Sequence, residues 1–488
     1  MKLMDITKLT QSPKVQQYGW YVLYALAIIG ALCLMTLQLR HAYCADCDTG
    51  YYLSISNRIS EGYRLYNDVA CGYTPLYLYV CAGLKCLFHI PANCYWPYLL
   101  MQQLLRIGIA LFVYGIAREM KATKMGAYIA ACFVCLLLFK EEGTYVLLEV
   151  PSTFFGLGGC YTLLHFRNKN IWHEAWIGCI VACAYLCKQY GLGYLPLALL
   201  LIFCYTNRTE WWKRILLLLA GFVLPIVAVT VYFGSAFYAI LLPTYGTSFL
   251  ESTEIEYSIA MRLDNIRKAV VNSLTNYAIP VVLATLLSPF AIKQKEWRMF
   301  VFALCGYLGF SLQYYFTLTP ALHYAFYMMP FVALMIAWIS KIDAPKWILA
   351  IAWLGIAYCF VQRSYRLVER CVPVWQSELY CWDIRTISAY CEENIPPQSK
   401  VFLECYGYEA VYFNAPILPP MLDKYGYSFG PSGLNYEQAL EQLQYADYAI
   451  LDAPEEENYY FSKRLFQQLE ERYPADTVNG VFIFNLRQ

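Results

Sequence analysis

Asp46 and Asp48 stand two positions apart in "CADCDTGYY", just past the first apolar run of the chain. Carboxylates at that spacing can do two kinds of chemistry. An ionised Asp, with a reference pKa of about 3.9, takes the proton of an attacking hydroxyl; two together can hold a divalent cation such as Mg or Mn. Further along come Arg58, Asp68, Arg106, Glu149, Lys188 and the pair His323 and Tyr324. Each also has a plainer reading. Asp48 at a helix start satisfies orphan N–H groups, whereas Asp46 is not needed for that. Arg58 lies one turn from Glu61 as a solvated helix charge, and Asp68 in "LYND" ends a turn. Lys188 snorkels to headgroups, Glu149 is an interfacial acid or a buried partner of Arg106, and His323 is a hydrogen-bonded interface residue.

The elements that must position these groups follow from composition. Of 488 residues, 59% are hydrophobic, 17% aromatic and only 15% charged, the profile of an integral membrane protein. The formal net charge of +1 supplies no basic field to neutralise phosphates, so nucleic acid is excluded as a partner. Eleven apolar runs approach the length that a hydrocarbon core of about 30 Å demands. They are 19–39, 95–117, 125–140, 151–167, 173–188, 190–206, 214–233, 276–292, 299–316, 321–340 and 346–361. A twelfth, 75–89, is short and contains Lys85.

Loop charge decides the orientation. If 75–89 does not cross, the basic loops 118–124, 167–170, 207–214, 293–298 and 341–346 all share the side of the Lys-bearing N-terminus, as cytoplasmic loops should. The segment 75–89 is then a juxtamembrane or re-entrant helix with Thr74 as N-cap and Pro75 at its first position. The loop 41–94 and everything after 361 are external. Arg106, about 18 Å of helix from the basic end of its run, is deep in the bilayer and faces a cavity or a partner. After Asp48, residues Tyr52, Ile55 and Ile59 make an amphipathic helix on the membrane surface, with Asp48 or Thr49 as N-cap and Gly62 as C-terminal cap.

The chain divides into a transmembrane domain at 1–361 and a tail at 362–488. In the tail, charge rises and apolar runs shrink to strand length. "KVFLEC" (400–405), "ADYAILD" (446–452) and "GVFIFN" (480–485) read as strands, with helical patterns at 375–394, 435–445 and 459–472: a small external α/β domain. Ten of the 20 cysteines fall in the apolar runs as small hydrophobes, and no disulfide framework is legible. "CADC" lacks a second close Cys/His pair for zinc. "NRT" at 207–209 fits a glycosylation acceptor but falls on the cytoplasmic side.

The order D-x-G-Y-Y-L-x-I-x-x-x-I-x-x-G-x-x-x-Y-x-D from Asp48 to Asp68, followed by "TPLYLY" at 74–79, resembles the first external loop of GT-C glycosyltransferases. The nearest branch is that of bacterial aminoarabinose transferases and dolichyl-phosphate-mannose protein mannosyltransferases. "LRIGIALFVYGIAREM" (105–120), "EVPSTFFGLGGCYTLL" (149–164), "CAYLCKQYGLGYLPLALLL" (183–201) and "HYAFYMMPFVAL" (323–334) resemble its later spans in the same order, so the likeness covers about 20–340.

The resemblance implies a GT-C-like membrane domain that moves a sugar from a polyprenyl-phosphate donor to a hydroxyl of a glycan, lipid or protein, with inversion, on the external face of a bacterial plasma membrane. It implies that Asp48, with Asp46, supplies the base or the metal ligands. Arg106, Lys188 and Arg58 then meet the donor phosphate, and Glu149, His323, Tyr324 and Asp68 border the substrate cavity. The chain departs from the commoner Asp-Glu pair by having Thr49 after Asp48, which leaves the choice of base open. Two other classes stand beside this reading: a transporter or flippase of a lipid-linked glycan, and a non-catalytic scaffold. A transporter calls for charged or Gly/Pro-broken spans in corresponding halves, whereas the acids here gather in one loop.

Overall fold

The computed structural model describes residues 13–40, 47–69, 71–91, 94–140, 145–238, 259–316, 322–376, 389–404, 440–441, 443–452, 460–478 and 480–487. Asp46 lies outside them, and Asp48 is described by its backbone alone. The helices are α1 (Pro13–Arg40), α2 (Cys47–Ser60), α3 (Leu76–Phe88), α4 (Trp96–Glu119), α5 (Lys124–Lys140), α6 (Glu149–Phe166), α7 (His173–Cys187), α8 (Tyr194–Tyr205), α9 (Trp211–Phe233), α10 (Ile259–Gln294), α11 (Trp297–Ser311), α12 (Met329–Ile339) and α13 (Lys346–Gln376).

A helix occupies each of the eleven apolar runs, but among the described residues only four are long and apolar enough to cross a bilayer. These are Gln17–Thr36, Trp96–Glu119, Arg208–Phe233 and Lys346–Glu369. Two of the other runs are interrupted. The run 190–206 is a 3-10 turn (Gln189–Gly193) followed by a 12-residue helix, and the run 321–340 is a 3-10 turn (Leu322–Tyr327) followed by an 11-residue helix. Helix α13 continues to Gln376, past the expected boundary at 361.

The core sits around α12. All its residues are buried, as befits a helix that is apolar all round, and α4, α5, α10 and α11 pack about it. Beside it α7 and α9 cross closely at two glycines. A Cβ on Gly221 would stand 1.9 Å from the Ala175 carbonyl oxygen, and one on Gly178 2.1 Å from that of Leu218. Small residues let such backbones meet where lipid supplies no hydrophobic drive. Gly221→Ala is therefore expected to cost about 1–3 kcal/mol by overpacking, read as a lower unfolding midpoint in detergent; an unchanged midpoint would contradict this crossing.

The first loop differs from its expectation in three ways. Helix α2 begins at Cys47, so Asp48 and Thr49 stand inside its first turn and neither is the N-cap. Helix α2 is also not a half-exposed surface helix, since every residue from Tyr52 to Arg58 is buried, polar Ser54, Ser56 and Asn57 among them. Pro75, not Thr74, occupies the N-cap position of α3, and the Thr74 hydroxyl instead donates to the Tyr185 carbonyl at 2.9 Å. The loop needs these positions for tertiary contacts, which outweigh local capping. Gly62 does follow α2 with φ +98°, a left-handed conformation that suits glycine.

In the tail, β1 (Val401–Glu404), β2 (Tyr448–Asp452), β3 (Ala475–Val478) and β4 (Val481–Asn485) form one sheet in the order β1-β2-β4-β3. The β1–β2 pair is parallel and the other two pairs are antiparallel. Helix α14 (Tyr460–Glu470) buries Leu465, Phe466 and Leu469 with Phe402, Ala449, Leu451 and Phe484 of the sheet. Strand β3, "ADTV", has no apolar run to announce it and exists by pairing with β4.

Candidate active site

The link 145–148, between α5 and α6, enters protein interior where its backbone polar groups have no water to meet. Side chains from two other elements satisfy it. Thr49 of α2 accepts the Val146 N–H at 2.9 Å, Gln102 of α4 donates to the Leu147 carbonyl at 2.9 Å, and Arg106 of α4 donates to the Tyr145 carbonyl at 3.2 Å. Arg106 also donates to Gln103 at 3.3 Å and lies 5.6 Å from the Phe326 ring. It is wholly buried, but its partner is not Glu149. The first turn of α2, with Asp48 next to Thr49, is thereby tied to the turn that carries Glu149.

Glu149, the first residue of α6, is fully buried and forms an ion pair with Lys188. Lys188 reaches it because the chain breaks there: the backbone turns extended (φ −158°, ψ 138°) between α7 and the 3-10 turn Gln189–Gly193. Gly191 permits that turn, since a Cβ would meet the Ala184 carbonyl oxygen at 2.2 Å. Lys188 therefore points inward rather than snorkelling. Its ammonium lies 4.8 Å from the Tyr324 ring and 5.1 Å from that of Tyr73, both inside the range of cation–π attraction. His323 Nε2 is 3.7 Å from Glu149 Oε1, and Glu149 Oε2 has no hydrogen-bond partner among the described residues. The segment 72–74 is fastened alongside, Gln189 donating to the Gly72 carbonyl at 2.7 Å.

Glu149, Lys188, His323 and Tyr324 thus converge, with Arg106 one link away and Asp48 on the adjoining helix turn. Arg58 and Asp68 are engaged locally instead. Arg58, buried near the end of α2, donates to Glu61 at 3.2 Å and stacks 4.5 Å from the Tyr63 ring, leaving Nε and Nη2 without a partner. Burial lowers its pKa, with Glu61 and Tyr63 opposing. Asp68 accepts the Arg64 backbone N–H at 2.8 Å, the main reason its pKa falls below the usual carboxylate value, and so closes its own turn. Among the described residues no three His, Cys, Asp or Glu side chains converge as metal ligands.

The sequence reading passed over Tyr73, Tyr190, Gln102 and Gln103. A signal for the glutamines was present: they stand four and three positions before Arg106, so the three make one polar stripe inside an apolar span.

Residues 73–233 match the family model described as dolichyl-phosphate-mannose-protein mannosyltransferase, a stretch that holds Arg106, Glu149 and Lys188 but not Asp46, Asp48 or His323. Among solved structures, apo ArnT from Cupriavidus metallidurans aligns with a TM-score of 0.59 at 12% identity over 96% of this chain and 98% of its own. ArnT bound to undecaprenyl phosphate gives a TM-score of 0.57 over the same shares at 12% identity. The archaeal oligosaccharyltransferase AglB from Archaeoglobus fulgidus, in complex with an inhibitory peptide and a dolichol-phosphate, gives 0.55 at 12% identity over 96% of this chain and 75% of its own. The chain has the GT-C fold. No curated protein matches it in sequence. At 12% identity the likeness carries the fold alone.

Proposed function

We propose that the chain is an integral membrane glycosyltransferase that transfers a sugar from a polyprenyl-phosphate donor to a hydroxyl of a glycan, lipid or protein. In this reading all eleven apolar helices cross a bacterial plasma membrane, the N-terminus is cytoplasmic, and the loop 41–94 and the tail 362–488 are external. The observation that carries the reading is the buried Glu149–Lys188 pair beside the Asp48 turn. It lies in a stretch that matches a dolichyl-phosphate-mannose enzyme, within a fold seen elsewhere around undecaprenyl phosphate.

The acceptor oxygen attacks the anomeric carbon while the bond from that carbon to the phosphate oxygen breaks, with inversion. The acceptor's proton passes to the Asp48 carboxylate, assisted by Asp46, and the bonding electrons leave on polyprenyl phosphate. General-base help of this kind is worth about 10²- to 10⁴-fold. The leaving phosphate gains charge, and prearranged cations stabilise it without reorganisation. Lys188 has three N–H donors and spends one on Glu149, so two remain for phosphate. Arg106 is the further cation, while Glu149, His323 and Tyr324 line the sugar and acceptor side; Arg58 and Asp68, held by Glu61 and Arg64 in their own loop, take no part. A divalent cation, where one is used, would be held by Asp46 with Asp48.

The reading is tested in proteoliposomes supplied with polyprenyl-phosphate sugars and a membrane extract as acceptor. Release of polyprenyl phosphate together with labelled product is expected. No release from any donor, against robust movement of the intact donor across the bilayer, would favour a flippase.

A further inference from the structure

The tail's sheet carries a cleft of about 340 Å³ that the proposed reaction leaves unused. Strand register puts its walls together. Tyr448 pairs directly with Asn485 across β2 and β4, and Asp476 pairs with Ile483 across β3 and β4. Ile483 and Asn485 are two apart, so all four share one face of the sheet. Opposite them, Tyr390 and Asn394 are one turn apart on the helix 389–394.

The polar atoms are held but not exhausted. The Tyr390 hydroxyl donates to Asp476 Oδ2, Asn394 Nδ2 donates to the Tyr390 carbonyl at 2.9 Å, and Asn485 Oδ1 accepts the Arg487 N–H at 3.1 Å. The residues that line the cleft bring two side-chain amides (Asn394 and Asn485), the Asp476 carboxylate and two phenol rings. Burial, and then the bond to Asp476, push the Tyr390 phenol up to about 12, so it remains a donor. Arg487, beside this face, stacks 5.8 Å from the Tyr448 ring and is neutralised by Asp447 at 2.9 Å. Among the described residues that line the cleft, an anion finds a carboxylate and no cation. A neutral polyol finds mixed donors and acceptors for its hydroxyls and aromatic faces for its C–H edges. The volume is at the lower end of the range for ligand pockets, about 300–1,000 Å³, and suits a short chain of sugars.

From this face we infer that the tail binds a neutral oligosaccharide, the acceptor class of the transfer reaction. Acceptor status rests on the glycosyltransferase reading; binding itself does not.

The full-length protein in nanodiscs is titrated with mannotriose, cellotriose and chitotriose, with saturation-transfer NMR as readout. At least one is expected to bind. Asn394→Ala and Asn485→Ala should each weaken it about threefold to tenfold, the net worth of a hydrogen bond, with unfolding midpoints unchanged. The double variant Glu149→Gln with Lys188→Met, which strands no buried charge, should leave binding intact. Saturation from none of the three sugars would overturn the inference. So would binding that survives both asparagine variants but is lost in that double variant at an unchanged unfolding midpoint, which would move the sugar to the transmembrane site. Sugar binding without any transfer would keep this cleft and sink the enzyme reading instead.

Discussion

Lys188→Met is expected to abolish transfer and to cost about 3–5 kcal/mol of stability, the toll of stranding one charge of a buried pair. Both side chains are shielded from water, Lys188 at 1% and Glu149 at 0% exposure, so solvent does not soften the loss. The methionine fills the space of the lysine stem but leaves the Glu149 carboxylate with neither its ammonium nor, on Oε2, any partner. His323 Nε2, 3.7 Å from Oε1 and partly exposed, is the other nitrogen left beside it. Glu149→Gln should be milder for the fold, because the amide oxygen still accepts from the ammonium. The double variant Glu149→Gln with Lys188→Met separates the two roles. If the pair is only structural, the double variant recovers both stability and activity. If Lys188 meets the leaving phosphate, the unfolding midpoint recovers and transfer does not. A Lys188→Met protein with normal kinetics would remove the lysine from the mechanism.

The parts of this architecture that could be read from the sequence are those with a local cause. An apolar run forms a helix wherever it stands, so each of the eleven runs holds one. The broken lengths were less legible. The 3-10 turn after Lys188 depends on how closely Gly191 meets Ala184, and the one before Met329 opens a run that reads as continuous.

What escaped the sequence was set by contacts between distant residues. The enclosure of α2 needs Thr49 to meet Val146, 97 positions away. Thr74 leaves its capping role for Tyr185, 111 positions away. Arg106 was identifiable as a buried cation needing a partner, but Glu149, its natural candidate by charge, is taken by Lys188. Among the described residues Arg106 donates to Gln103 and to the Tyr145 carbonyl, which the several donors of a guanidinium allow. The polar stripe of α4 was visible, and its purpose of holding the 145–148 link was not.

Asp48→Asn should lower transfer by about 10²- to 10⁴-fold while leaving the unfolding midpoint nearly unchanged. The asymmetry follows from where the residue stands. Helix α2 starts at Cys47, so position 48 is in the first turn, where the exposed N–H ends and the helix dipole favour a negative charge by about 0.3–1 kcal/mol. Asn has the same shape and still offers an oxygen to those groups, so the turn, and through Thr49 its tie to Val146, should survive. What Asn cannot do is take a proton from an acceptor hydroxyl. Asp46→Asn serves as the control for the neighbouring acid. Loss confined to position 48 makes Asp48 the base; loss confined to position 46 transfers that role; equal loss at both, restored in part by raising Mg or Mn, assigns the pair to a shared cation. Full transfer by both variants would leave no carboxylate in this loop to accept the proton. The reaction would then need its base elsewhere, and the unpartnered Glu149 Oε2, one hydrogen-bonded link from the same turn, is the next group to test.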